Sequence, residues 1–280
     1  MSGETALAVL GGVLLGGLVT GWIMSRRIGR TPRRLLRTNL SGAEVPAILG
    51  EPVLVGGAGV ALVGLLAGRL GWEAIESARI LGAVATVVAV MAFAGRWDDL
   101  RGDERPRGFG GHLGALKSGR LTGGLVKLAA GGAAGLVAGL ILTSDLVIVG
   151  ETILVVALSA NLINLLDRAP GRALKVWLPI AVPLFVLGEP MWAIAASGLL
   201  GVVFCILPAD LGERAMLGDM GSNALGAALG VGLVVALDRP WRVATIVVLL
   251  ALNLASEKVS FSAVIERVIF LKKFDDFGRK

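Results

Sequence analysis

The sequence predicts an all-α fold, a polytopic transmembrane helical bundle of about nine spans. Of the 280 residues, 55% are hydrophobic and only 17% are charged, and the mean hydropathy is +0.80. A soluble domain of this length carries about 25% charged residues. The apolar residues also form long blocks instead of the alternating or 3.6-residue patterns of half-buried elements. Both observations favour helices that cross a lipid bilayer.

Nine apolar blocks define the predicted spans, and most have the length of about 17–20 residues that a bilayer requires. They cover residues 5–24, 51–70, 79–95, 122–142, 147–165, 176–188, 191–207, 223–237 and 241–255. The first block predicts a retained membrane anchor and not a cleaved signal peptide, because no basic segment precedes it and Arg26 and Arg27 follow it.

The distribution of Lys and Arg predicts the orientation. The segments after spans 1, 3, 5, 7 and 9 hold 6, 6, 3, 1 and 6 of these residues, which is 22 of the 27. The N-terminus is therefore expected outside and the C-terminus in the cytoplasm. We expect residues 1–255 to form one transmembrane domain and residues 256–280 a basic amphipathic cytoplasmic tail. The net charge of +6 is explained by this topology and by attraction to anionic headgroups, so nucleic acid is not an expected partner.

Two adjacent carboxylates, Asp98 and Asp99, follow the third span on the predicted cytoplasmic side. They are compatible with solvated charge in a basic loop. Because like charges repel at short range, a shared cation or a phosphate-bearing partner explains the pair better.

A second polar cluster lies at the end of the fifth span, where Asn161, Asn164 and Asp167 recur at i, i+3 and i+6. This spacing predicts a polar stripe along one helical face. Amides within a span are costly unless they bond across helices or line a cavity. Interhelical packing and a polar site are both compatible with the stripe.

The third cluster is Asp219, which lies between Gly218 and Gly221 and is followed by Ser222. A simple turn would explain the glycines, but they also allow the backbone to approach an anion. Lys127, near the start of the fourth span, either extends to the membrane surface or faces the acidic residues and holds a phosphate. All three clusters fall on the side assigned as cytoplasmic from Lys and Arg alone.

Together these motifs resemble the polyprenyl-phosphate N-acetylhexosamine-1-phosphate transferases, the glycosyltransferase family 4 that includes the phospho-N-acetylmuramoyl-pentapeptide transferase. The resemblance covers roughly residues 38–230. The matching segments are the pair Asp98–Asp99, the N-x-x-N-x-x-D run of Asn161, Asn164 and Asp167, the loop Leu217–Ser222, the segment Leu207–Ala209, and residues 38–46 of the first cytoplasmic loop.

The resemblance implies a multi-pass enzyme of the cell membrane with a cytoplasmic active site. It would transfer a sugar-1-phosphate from a UDP-sugar, such as a UDP-N-acetylhexosamine, to polyprenyl (undecaprenyl) phosphate and release UMP during cell-wall biogenesis. The reaction would need Mg²⁺, with Mn²⁺ as an alternative ion. The expected catalytic residues and metal ligands are Asp98, Asp99 and Asp219. The expected substrate-binding residues are Lys127, Asn161, Asn164, Asp167, Arg168 and Arg172.

The sequence departs from the family pattern after Asp167. Family members continue D-G-x-D-G, but here Pro170 replaces the second aspartate and Arg168, Arg172 and Lys175 surround it. The histidine-rich loop of the pentapeptide branch is also missing, since His112 is the only histidine. We expect span 5 to end near Asp167, residues 168–175 to form a loop that Gly171 relieves, and the cations to face the donor or only the membrane surface.

Two other functions stay open at this point. One is an inactive or substrate-shifted member of the family, and the other is a polytopic transporter, although no internal repeat supports a transporter. The sequence does not specify the donor sugar, the lipid chain length, which aspartate of the pair acts as base, or the oligomeric state, for which a homodimer is one option.

Cysteine-accessibility labelling tests the predicted orientation. In a Cys205→Ala background, single cysteines introduced at Ser2 and Ser118 should react with an impermeant reagent from opposite sides of the membrane, because three spans separate them. Labelling of both positions from the same side would contradict the prediction.

Overall fold

The computed structural model of the chain describes residues 3–39, 42–69, 75–101 and 123–279. These residues form eleven helices and one short antiparallel hairpin. The helices are α1 (Gly3–Arg27), α2 (Gly50–Arg69), α3 (Ile75–Arg101), α4 (Gly123–Leu142), α5 (Leu146–Leu166), α6 (Arg172–Leu187), α7 (Pro190–Leu211), α8 (Gly218–Ala236), α9 (Arg239–Lys258), α10 (Phe261–Arg267) and α11 (Ile269–Asp276).

Six helices in the described residues are long and apolar enough to cross a membrane. They lie in α1, α3, α5, α7, α8 and α9, and a shorter apolar helix covers most of α4. The prediction of a helical membrane protein is thereby confirmed. A helix also occupies each of the nine predicted blocks, whereas the number of membrane crossings and the orientation stay predictions.

Helix α8 forms the centre of the bundle. Every residue of α8 from Met220 to Val231 is buried, and the helix packs against α3 and α5. Two buried tryptophans bring neighbouring helices to it, since the indole of Trp177 donates to the carbonyl of Leu225 and that of Trp192 to the carbonyl of Ala228, both at 3.0 Å. Each bond satisfies the indole N–H in an otherwise apolar core. The position of α8 is therefore fixed from several sides.

A hairpin of two short strands, β1 (Leu36–Thr38) and β2 (Glu44–Pro46), lies in the connection between α1 and α2. The strands are antiparallel with Arg37 opposite Val45. The next residues pair with the segment before α8, where the N–H of Leu49 donates to the carbonyl of Met216 at 3.1 Å. The guanidinium of Arg37 bonds the backbone carbonyl of Asp99. The hairpin thus joins the end of α3 to the start of α8.

Helices α3 and α8 approach each other closely at Gly95. A Cβ atom at this position would collide with the backbone of Asp219 and Met220. Only glycine permits this contact, because any larger residue would push the two helices apart. Gly95 therefore brings the carboxylates that follow it to the start of α8.

The turn between α5 and α6 partly follows the prediction. Helix α5 ends at Leu166 with Asp167 as its cap, and Gly171 has φ of +70°, so the expected end of the span and the role of the glycine are confirmed. The predicted loop over residues 168–175 is too long, because the left-handed Gly171 redirects the chain and α6 begins at Arg172. At the other predicted boundary, α9 continues past residue 255 to Lys258.

Substitution of Gly95 tests the close approach of α3 and α8. Gly95→Ala should destabilise the protein by about 1–3 kcal/mol, because the added methyl group meets rigid backbone. The matched control is Gly132→Ala in α4, where nothing lies within 4 Å of the added atom and no loss is expected. Thermal unfolding in lipid nanodiscs would measure both, and equal melting temperatures would contradict the packing.

Candidate active site

Lys127 lies between two carboxylates from different helices. Its Nζ is 2.8 Å from Oδ2 of Asp98 in α3 and 3.0 Å from Oδ2 of Asp219 in α8. Only 14% of the Lys127 side chain and 3% of the Asp98 side chain are exposed. Of the two alternatives for this lysine, the structure shows the second in position: the ammonium faces the acidic residues and does not extend to the membrane surface.

Asn164 adds the third helix to this cluster. Its Nδ2 donates to Oδ1 of Asp219 at 2.6 Å and to Oγ of Ser222 at 2.9 Å, while its Oδ1 lies 3.5 Å from Nζ of Lys127. One motif residue from each of α3, α5 and α8 therefore meets around a single ammonium group. We call Asp98, Lys127, Asn164 and Asp219 the carboxylate cluster.

Asp99 has a different environment from its neighbour. Its Oδ1 accepts from the N–H of Asp219 and its Oδ2 from the N–H of Met220, both at 3.1 Å. These N–H groups belong to the first turn of α8 and have no partner within the helix. Asp99 therefore caps α8, and its negative charge interacts favourably with the positive end of the helix dipole. In this position Asp99 fixes the start of α8 next to the cluster.

Asp167 lies beside the cluster in a small cavity of about 20 Å³, near the volume of one water molecule. The cavity is also lined by Asn39, Arg168, Pro170 and Asp210. Burial and the nearby charge of Asp210 raise the pKa of Asp167 well above its usual range, and Asp219 and Asp99 add to this effect. Asp167 thus favours a proton or a cationic partner.

Sequence reasoning missed Asp210. It is 4% exposed, and its Oδ2 accepts from the N–H of Gly171 at 3.0 Å. The only sequence signal was its place directly after the family-like segment Leu207–Ala209. The carboxylate of Asp210 therefore lies next to the turn that contains Pro170. At the position of Pro170 the family pattern has an aspartate.

Asn161 does not join the carboxylate cluster. Its Nδ2 donates to Oδ1 of Asn253 in α9 at 2.6 Å. Residues three apart on an α-helix are offset by about 60°, so the stripe predicted from the i, i+3 spacing turns steadily around the helix. Asn161 consequently faces α9, whereas Asn164 faces α8, and the packing alternative describes Asn161.

The two arginines predicted to bind substrate also have different environments. Arg168 is exposed and lines the cavity beside Asp167. Arg172 is 4% exposed and bonds both carboxylate oxygens of Asp275 at 2.7 and 2.8 Å. The basic residues of this region were expected to face the donor or only the membrane surface. Arg172 does neither here, because the buried carboxylate of Asp275 pairs with it.

The chemistry of the cluster suits a hard divalent cation. No group of three or more His, Cys, Asp or Glu side chains arranged to hold a metal is found among the described residues. Mg²⁺, however, is usually held by one or two carboxylates together with substrate phosphates and water. Asp98 and Asp219 already converge on one cationic group. They are the residues that would hold such an ion.

The chain has no match among protein-family models or among curated proteins. The family resemblance consequently rests on the sequence motifs alone.

Replacement of Asp99 tests its role as the cap of α8. Asp99→Asn should cost about 1.5–3 kcal/mol, because a charge-assisted acceptor of two buried N–H groups is lost. The control is Asp145→Asn, since Asp145 also accepts from two N–H groups at a helix start, but in an exposed position. Asparagine is a good cap there, so the control should lose much less. Equal losses in the free energy of unfolding would contradict the assignment.

Proposed function

We propose that this chain is a phosphoglycosyl transferase that moves a sugar-1-phosphate from a UDP-sugar to polyprenyl phosphate. A phosphate oxygen of the lipid attacks the sugar-linked phosphorus, the bond from that phosphorus to UMP breaks, and the products are polyprenyl-diphosphate-sugar and UMP. The observation that carries the proposal is the carboxylate cluster. Motif residues from α3, α5 and α8 surround one ammonium group at one end of a bundle of apolar helices.

The charges of the cluster suit phosphoryl transfer. In such reactions the protein mainly positions the reactants and stabilises the charge that spreads over the phosphoryl oxygens. Lys127 would hold a phosphate as a point charge. Asp98 faces this ammonium, whereas both oxygens of Asp99 bond backbone N–H groups. Asp98 is therefore our choice for the residue that positions or deprotonates the lipid phosphate.

A divalent ion fits the proposal at Asp98 and Asp219. When bound, Mg²⁺ would neutralise phosphate charge and favour an in-line displacement. Asn164 would orient Asp219 through their 2.6 Å hydrogen bond. Lys127 would then contact substrate phosphate once its carboxylate partners bind the ion.

The donor side of the site is proposed around Asp167 and Arg168. Arg168 is exposed and lines the cavity beside Asp167, whereas Arg172 is paired with Asp275. Arg168 is therefore the better candidate for the UDP diphosphate. Asp210 keeps a carboxylate beside the turn that contains Pro170. This favours an active enzyme with a changed donor sugar over an inactive member of the family. The bilayer supplies the acceptor, and a plasma-membrane location belongs to the same proposal.

Product release tests the reaction. Purified protein in nanodiscs should release UMP when it is supplied with undecaprenyl phosphate, Mg²⁺ and one member of a panel of UDP-sugars. Omission of the lipid phosphate should abolish release, and excess EDTA should do the same. Absence of UMP with every donor, together with movement of a solute across proteoliposomes, would favour a transporter.

Asp219 is the most informative single position for catalysis. Asp219→Asn keeps the shape and the contact with Asn164 but removes the charge, so UMP release should fall by about a hundredfold or more. The control is Asp238→Asn, which changes an exposed aspartate at the start of α9 and should leave the rate unchanged. A near-normal rate for Asp219→Asn would rule out the proposed metal site.

A further inference from the structure

The C-terminal segment, residues 259–279, follows α9 directly and contains α10 and α11. One side of this segment binds the bundle through a buried ion pair. Asp275 is 3% exposed, and its two oxygens accept from Nε and Nη2 of Arg172. Nη1 of Arg172 donates to Oγ of Ser262 at 2.8 Å. Such a two-pronged pair is strong and directional, so it fixes the segment against the first turn of α6.

Two further cations extend this contact on both sides of the pair. Nζ of Lys175 donates to the carbonyls of Phe274 at 3.3 Å and Phe277 at 3.0 Å. Nε of Arg279 donates to the carbonyl of Pro170 at 3.0 Å, and its Nη2 lies 2.7 Å from Oδ1 of Asp275. The end of the chain therefore holds the turn that connects Asp167 to α6.

The charge state of Asp275 agrees with a stable contact. Burial alone would raise the pKa of Asp275, but hydrogen bonds from Arg172 and Arg279 outweigh burial and hold the pKa below its usual range. The stabilisation from this carboxylate is therefore present above the pKa of an unfolded aspartate and is lost only as the pH falls through the lowered value. At neutral pH the contact is fully formed.

The other side of the segment is apolar and uncovered in the described part of the chain. Ile269, Phe270 and Phe277 are 73%, 77% and 77% exposed. Asp275 points into the protein on the same short helix, so α11 has one docked face and one apolar face. Apolar side chains of this size rarely remain in water without a partner.

The position of the segment indicates what covers this apolar side. Helix α9 is one of the helices able to cross a membrane, and it has only Leu249 and Asn253 buried. It ends at the exposed Lys258, so the segment begins where this helix would leave the bilayer. Aromatic and apolar side chains next to exposed lysines, such as Lys272 and Lys273, are typical of helices that lie in the membrane interface.

We infer that the C-terminal segment is a membrane-surface clamp. Its apolar side chains insert into the lipid interface, while Asp275 holds Arg172 and with it the turn beside Asp167. The docking of the segment on Arg172 and on the turn is independent of the proposed function. Its effect on donor binding rests on the proposed function, because it requires that the turn at residues 168–171 belongs to the donor site.

Lipid quenching tests the membrane contact. Single cysteines replace Phe270 or Lys272 in a Cys205→Ala background, and each carries an environment-sensitive fluorophore. The labelled proteins are reconstituted into phosphatidylcholine vesicles with nitroxide-labelled acyl chains. We expect strong quenching at position 270 and weak quenching at position 272, because residues two apart on an α-helix point about 160° apart. Equal quenching at the two positions, or stronger quenching at 272, would overturn the membrane contact.

Limited proteolysis tests the clamp without any assay of activity. Asp275→Asn leaves Arg172 buried without its charged partner, so trypsin should cleave after Lys272 or Lys273 at least about tenfold faster than in the unsubstituted protein. Asp276→Asn removes the same charge from an exposed neighbour and should leave the cleavage rate unchanged. The double variant Arg172→Met/Asp275→Leu replaces the pair by apolar residues and should restore slow cleavage. Equal cleavage rates in Asp275→Asn and Asp276→Asn would overturn the clamp.

Kinetics connect the clamp to the site. If UMP is released by the unsubstituted protein, Asp275→Asn should raise the KM for the UDP-sugar by about tenfold with little change in kcat, because the turn is displaced and the carboxylate cluster is not. An unchanged KM would show that the clamp stabilises the protein without affecting donor binding. If the unsubstituted protein releases no UMP, the proposed function fails, whereas quenching and proteolysis still decide the clamp.

Discussion

The ammonium of Lys127 between Asp98 and Asp219 is the interaction on which the rest of the structure depends. An ion removed from water costs several kcal/mol unless partners with good geometry surround it. Here the three charged groups come from α3, α4 and α8, and the two contacts measure 2.8 and 3.0 Å. Two carboxylates share one ammonium, so loss of Lys127 would leave two largely buried acidic groups without a counter-charge. The helices that carry them must therefore be held in place by other contacts.

Those contacts surround the start of α8. Gly95 lets α3 pass close to the backbone of Asp219, and Asp99 bonds the first N–H groups of α8. Arg37 of the hairpin bonds the carbonyl of Asp99, and Asn164 bonds the carboxylate of Asp219 from the side of α5. Each of these groups is polar or lacks a side chain, which explains how a mostly apolar bundle can build a precise polar centre at one end.

The sequence predicted the helices well, because apolar blocks of bilayer length are a local signal. The i, i+3 amide spacing did not separate Asn164, which joins the cluster, from Asn161, which faces α9. The sequence could not separate Asp98 from Asp99, since adjacent residues on a helix point about 100° apart and only the packing decides which of them faces Lys127. It also could not find the partner of Arg172, because Asp275 lies about a hundred residues further along the chain. The turn after α5 was predicted too long because a left-handed glycine can start a new helix at once.

A double-mutant cycle in nanodiscs tests the central ion pair most directly. Lys127→Met and Asp219→Asn are made singly and together, and the free energy of unfolding is measured for each. We expect the double variant to lose less than the sum of the single losses, with a coupling of about 0.5–3 kcal/mol for groups in direct contact. Additive losses would contradict a shared charge at the centre of the site.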